Sequence, residues 1–143
     1  MNSLIGQKTE SRYFNVEKEA IKDFAKAINE DNPLFLDENF AARNGYSSIV
    51  APMTFPTTFR DKVPEWFENL DKSKLLHGQQ KYRYKRRIVA GDQIKYIEKL
   101  KDIYEKEGKS SKLTFYVRER IGYDITDEEV FTEESTFIIR EAK

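Results

Sequence analysis

Cysteine is absent from this 143-residue chain. That excludes a disulfide framework, a thiolate nucleophile and any cysteine-based zinc or iron–sulfur site. Histidine is nearly absent too: His77 stands alone. A metal site built on two or three imidazoles from one chain is therefore excluded, and any acid–base chemistry that needs imidazole has one candidate. There is no surplus charge of either sign, with 25 basic residues against 25 acidic ones. The chain thus lacks the global field of a nonspecific nucleic-acid binder. Long apolar runs are missing as well. Nothing approaches the ~18 residues of a membrane span, and the opening stretch holds no signal-peptide core. The expectation is a soluble, cytoplasmic protein with no metal and no cofactor.

What the chain does have is charge and aromatic surface. Charged residues make up 35%, and there are eight Tyr, ten Phe and one Trp. So many rings argue against disorder and for a core or pocket built from aromatics. A chain of this length buries roughly two-thirds of its unfolded surface, enough for one core without staples. The reading is one domain over residues 1–143, with 1–9 as a flexible tail.

Residues 12–16 read as a short strand. Over 16–28, Val16, Ala20, Ile21, Phe24, Ala25 and Ile28 form one helical stripe. Asn15 is the expected cap, and Glu17 and Glu19 sit where the helix dipole favours them. Pro33 prevents the helix from continuing. Residues 37–44 fit a second short helix capped by Asp37 and stopped at Asn44-Gly45. Residues 45–59 are apolar yet broken by Pro52 and Pro56, the texture of a lining segment rather than a strand. Residues 61–74 are polar around Trp66 and Phe67 and fit a helix or a covering loop.

From Leu75 onward the period becomes two. Gln80, Tyr82, Tyr84, Arg86 and Ile88 alternate with Lys81, Arg83, Lys85 and Arg87, and Leu113, Phe115, Val117 and Ile121 alternate with Thr114, Tyr116, Arg118 and Arg120. Residues 130–140 form a last strand. Residues 93–106 fit a helix as well as a strand by spacing. The turn before them and the Gly108 loop after them favour a long strand. Helices first and a strand meander after imply an α+β domain.

Four groups carry candidate chemistry. Glu30, Asp31 and Asn32 beside Pro33 can hold a water or a substrate oxygen, or simply form an Asx-turn. His77, at the start of a strand, is an acid–base candidate or a structural imidazole. The cations of 81–87 interleave with Tyr82 and Tyr84, as on single-strand nucleic-acid surfaces, although alternation makes them a solvated face. Residues 49–59 either wall an acyl tunnel or merely pack the core.

Together these stretches resemble the N-terminal dehydratase domain of the MaoC-like hot-dog proteins. That group includes the A-type subunit of (3R)-hydroxyacyl-ACP dehydratase and the first half of 2-enoyl-CoA hydratase 2. The resemblance is carried by Asp31-Asn32-Pro33-Leu34, Gly45-Tyr46, Ile49-Val50-Ala51-Pro52, Leu76-His77-Gly78, Ala90-Gly91-Asp92, and Glu105 to Gly108 with Lys112 to Phe115. It implies a hot-dog fold, in which a sheet of about five antiparallel strands wraps a long central helix and two such units pair. It implies hydration of trans-2-enoyl thioesters, or dehydration of (3R)-3-hydroxyacyl thioesters, on CoA or acyl carrier protein.

Active members carry an Asp and a His that share the reacting water. Those positions are Glu30 and Phe35 here, and the family's preceding Gly is Asn29. A phenyl ring moves no proton, and Glu for Asp shifts a base by one methylene. The family's His-Gly pair is Pro52-Met53. The resemblance therefore points to a substrate-shaping half whose partner is a catalytic hot-dog subunit. Asn32, Pro33, Phe35, Ile49, Val50, Pro52, Met53, Thr54, Phe55, Thr57 and Phe59 would line the substrate. A self-sufficient homodimer using Glu30, Asp31 or His77 is the alternative, as are a noncatalytic acyl-thioester binder and a hot-dog thioesterase. Nucleic-acid binding through 81–87 is a more remote reading.

Overall fold

The computed structural model describes residues 2–60 and 62–143. Five strands form one antiparallel sheet: β1 (Arg12–Asn15), β2 (Leu75–Tyr84), β3 (Gln93–Glu107), β4 (Ser111–Tyr123) and β5 (Glu129–Ala142). Their order across the sheet is β1-β3-β4-β5-β2. Three helices lie between β1 and β2: α1 (Lys18–Ala27), α2 (Glu38–Arg43) and α3 (Glu65–Glu68). Ile21 and Ala25 of α1, with Phe24 alongside, pack onto Ile94 and Tyr96 of β3 and Val130 and Phe131 of β5. This is the hot-dog arrangement the resemblance implied.

The ambiguous stretch 93–106 is strand. It is held on both sides, by β1 through Arg12↔Tyr96 and by β4 along its length. Sheet pairing on two edges outweighs a helical spacing that local sequence could not distinguish. Residues 6–9, expected as a tail, lie along β3, where Gly6 N donates to Leu100 O (2.8 Å) and Thr9 N to Glu98 O (2.8 Å).

Two local expectations need correction. Asn15 does not cap α1: it belongs to β1, and the cap position is Glu17, which makes no side-chain cap bond. The helix is correspondingly shorter, ten residues. The strand expected around 80–88 begins at Leu75 and ends at Tyr84, because Arg86 leaves the ladder to bind Asp92 across the turn (2.8 Å). In β4 the alternation left the inward face open, and the polar set takes it. Tyr116, Arg118 and Arg120 look toward the core side, as Arg120 donating to the Phe59 and Pro56 carbonyls shows.

Local chemistry elsewhere agrees with the sequence. Asn32 accepts from Leu34 N (3.0 Å), and Asp37 caps α2 by accepting from Asn39 N (2.9 Å) and Phe40 N (3.2 Å). Asn29 closes α1 with φ of 58° while Glu30 N donates to Ala25 O. That left-handed residue is where the family carries Gly, and Asn is the other residue that tolerates it.

Candidate functional site

The inner face of the sheet is built in rows, each drawing one residue from β3, β4, β5 and β2. The row under α1 is Tyr96, Gly122, Phe131 and Tyr84. Gly122 has no side chain because the Phe131 ring occupies that space. The next row is Glu98, Arg120, Glu133 and Tyr82, and the one after is Leu100, Arg118, Ser135 and Gln80. The last is Ile103, Tyr116, Phe137 and His77. Two polar rows thus lie between two largely apolar ones. The far row is roofed by α3: Trp66 stacks on Tyr116 (5.9 Å between centroids) and Phe67 meets Phe137 edge-on (5.0 Å).

Over the polar rows the sheet is covered only in part, which leaves a cleft of about 320 Å³. Its floor is Glu98, Arg118, Arg120, Glu133 and Gln80, and Thr57, Phe59, Arg60, Lys62 and Val63 stand along its side. Phe59 is fixed by an aromatic cluster, stacking on Phe14 (4.1 Å) and meeting Phe55 edge-on (6.0 Å).

The floor is one hydrogen-bonded network. Glu133, only 1% exposed, accepts from Arg120 Nε, from Gln80 and from the Tyr82 hydroxyl (2.9 Å). Arg120 gives its other nitrogens to the carbonyls of Phe59 (3.0 Å) and Pro56 (2.7 Å). This ties the 55–59 segment to the sheet. Ser135 joins the rows, donating to Gln80 Oε1 (2.8 Å) and accepting from Arg118 (3.2 Å). Burial, and then the charge of Glu133, push the Tyr82 phenol well above its ordinary range, so it acts as a donor and not as a base. Arg118 is less well served. It faces Glu98 at 3.6 Å and leans on the Phe137 ring. Burial, and then the like charge of Arg120, lower its pKa from the usual value. Arg118 Nε and Glu98 Oε2 are buried without a hydrogen-bond partner.

The sequence candidates are spread over the cleft, the turn after α1 and the core with its exposed flank. Thr57, Phe59 and His77 reach the cleft. His77 Nε2 donates to Gln79 O (3.1 Å), in the tautomer with that nitrogen protonated, and its ring stacks on Phe137. Glu30, Asp31, Asn32 and Pro33 are exposed after the end of α1. The carboxylates of Glu30 and Asp31 have no hydrogen-bond or ion-pair partner among the described residues. Phe35, Ile49, Val50 and Phe55 are in the core cluster, and Pro52 is buried. Met53 and Thr54 are exposed, with Met53 O accepting from the Tyr84 hydroxyl (2.5 Å). Lys81 and Arg83 face the opposite side of the sheet, beside Glu119 and Glu134.

Sequence reasoning missed Glu98, Arg118, Arg120 and Glu133. A signal was present: Glu98 interrupts the inward series Ile94, Tyr96, Leu100. In β4, however, the alternation alone does not tell which face turns inward.

Comparison with known proteins agrees with this architecture. Residues 3–133 match the family described as the FAS1-like dehydratase domain region. A UPF0336 protein of Saccharopolyspora erythraea is 33% identical over 132 residues, covering 89% of this chain and 82% of its own. One from Clavibacter michiganensis is 34% identical over 84 residues, and the match spans 55% of this chain and 56% of that protein. Among solved structures, the truncated HadBC (3R)-hydroxyacyl-ACP dehydratase complex of Mycobacterium tuberculosis superimposes with a TM-score of 0.78 at 24% identity, covering 94% of this chain and 96% of the other. The (R)-hydratase of A. caviae does so with a TM-score of 0.66 at 16% identity, covering 93% and 94%. With the family match spanning nearly its whole length, the chain belongs to the FAS1-like dehydratase domain region family, and it has the hot-dog fold of these solved structures.

Proposed function

We propose that this chain is the substrate-binding half of an acyl-thioester dehydratase or enoyl hydratase. Its substrates are (3R)-3-hydroxyacyl or trans-2-enoyl thioesters on CoA or acyl carrier protein. A second hot-dog subunit supplies the catalytic Asp and His. In the hydration direction, that pair delivers the hydroxyl of water to C3 and a proton to C2. A backbone N–H holds the developing charge on the thioester oxygen.

The observation that carries this reading is the place of Phe35. It occupies the family's histidine position and is 8% exposed within the core cluster. His77, the only imidazole, is held in the outermost inner-face row, stacked on Phe137. Neither Glu30 nor Asp31 has a partner among the described residues that would poise it as a base. The similar HadBC structure is a complex, which supports pairing with a second subunit.

The test is hydration of crotonyl-CoA by the purified chain, followed as loss of enoyl absorbance. The expected result is no rate above buffer from folded protein that still binds acyl-CoA. A clear rate that Glu30→Gln or His77→Ala abolishes would replace the partner reading with a self-sufficient enzyme. Phe35→His combined with Glu30→Asp asks whether the scaffold regains activity once the two groups are restored.

A further inference from the structure

An unbranched hydrocarbon chain is a poor occupant of the inner-face cleft. Its floor carries Glu98, whose side chain is 6% exposed and whose Oε2 has no hydrogen-bond partner. Beside it, Arg118 has an unpaired Nε and meets Glu98 only at 3.6 Å. Methylene groups laid over this floor would cover the part of the Arg118 side chain that is still exposed, 19%, without replacing any hydrogen bond, which is costly.

The charges around the cleft are unequal. Arg12, Arg60, Lys62, Arg118 and Arg120 line it, against Glu98 and Glu133. Arg120 and Glu133 satisfy each other, and Arg120 is further committed to two carbonyls. Among the described lining residues that leaves Glu98 against four cations. The side chains of Arg12, Arg60 and Lys62 form no ion pair or hydrogen bond among the described residues. A partly enclosed pocket with such a surplus concentrates anions. Guanidinium groups with free N–H bonds favour a carboxylate, whose two oxygens match their geometry. Phe59 and Phe137 supply apolar wall for a short stem. A cleft of about 320 Å³ holds about ten groups at ~30 Å³ each, room for a short acyl group with a polar end.

We propose that this cleft receives the far end of the acyl group and selects short acyl thioesters whose far end carries a carboxylate. The inference rests on the acyl-thioester reading above and adds the substrate class.

The experiment is calorimetric titration of the full chain with glutaryl-CoA, with valeryl-CoA, which has the same number of acyl carbons and a methyl end, and with CoA alone. The expected result is glutaryl-CoA binding about tenfold or more tighter than valeryl-CoA, the scale of a charge-assisted hydrogen bond. Arg118→Gln should bring the ratio close to one. Arg60→Gln with Lys62→Gln, both on exposed positions, should lower the ratio without threatening the fold, and it carries the test if Arg118→Gln does not fold. Equal binding of the two acyl-CoAs overturns the carboxylate inference and leaves the thioester reading standing. CoA alone binding as tightly as glutaryl-CoA, with all three ligands weakened alike by the variants, also overturns it. The anion in the cleft would then be a carrier phosphate. Failure of every ligand to bind removes the thioester reading, and this inference with it.

Discussion

Replacing Arg120 by methionine should cost about 3–5 kcal/mol of folding stability, the range for removing one member of a buried ion pair. Arg120 and Glu133 are 5% and 1% exposed. The substitution leaves Glu133 in the interior with only Gln80 and Tyr82 as donors. It also strips the carbonyls of Pro56 and Phe59 of their side-chain donor. Methionine replaces much of the volume, so the loss is electrostatic rather than a cavity effect. For a chain of this size each kcal/mol moves the melting temperature by about 3–4 °C, so the midpoint should fall by roughly 10–20 °C. Urea unfolding followed through Trp66, the only tryptophan and 6% exposed, measures it directly. Arg120→Met with Glu133→Leu removes the stranded charge and should recover most of the loss, ending about 1–2 kcal/mol below the parent because the Phe59 carbonyl loses its side-chain donor and the Pro56 carbonyl keeps only Phe59 N. A loss under about 1 kcal/mol in the single variant would refute the reasoning. It would mean that Glu133 is not held as a charge and that Arg120 does not anchor the 55–59 segment.

Three further outcomes follow from the same structure. Gly122→Ala places a methyl group inside the Phe131 ring, which is fully buried, and should destabilise by about 1–3 kcal/mol in thermal melts; Gly78→Ala meets only the tip of Ile138 and should cost less than Gly122→Ala. Asp37→Ala removes the acceptor for Asn39 N and Phe40 N and should cost about 1 kcal/mol by urea unfolding, an effect that Asp37→Asn largely avoids. On the outer face, the hydrogen bond from Lys101 holds the Glu134 carboxyl below its ordinary value of 4.5. The unfolded chain therefore takes up a proton there before the folded one does. The resulting stabilisation is complete above that value and is lost as pH falls through the lower folded value. Glu134→Gln should flatten this part of the acid limb of a stability–pH profile and leave the profile near neutrality with the same shape.

Much of the candidate chemistry around α1 was legible locally. Asn32 and Asp37 make the turn and cap that their side chains dictate. Asn29 adopts the left-handed backbone that its place after a helix requires. Such contacts span two to four residues, so sequence contains both partners. Assigning Asn15 as the cap failed for a nonlocal reason: its pairing with Gln93 keeps it in β1. The helical spacing of 93–106 was overruled in the same way, by two neighbouring strands.

The sequence by itself determined the absence of thiol chemistry, the single imidazole and the α+β order of elements, because each is a matter of residue identity and short-range pattern. Tertiary structure decided the inner-face rows. Glu98, Arg120, Glu133 and Tyr82 come from four strands and meet only through register, which slips every side chain to the other face when it shifts by one residue. Whether Arg118 and Arg120 look outward or into the cleft could not be read from their own alternating strand. The Pro56 and Phe59 carbonyls, more than sixty residues away in sequence from Arg120, settle it, because a buried guanidinium goes where acceptors are.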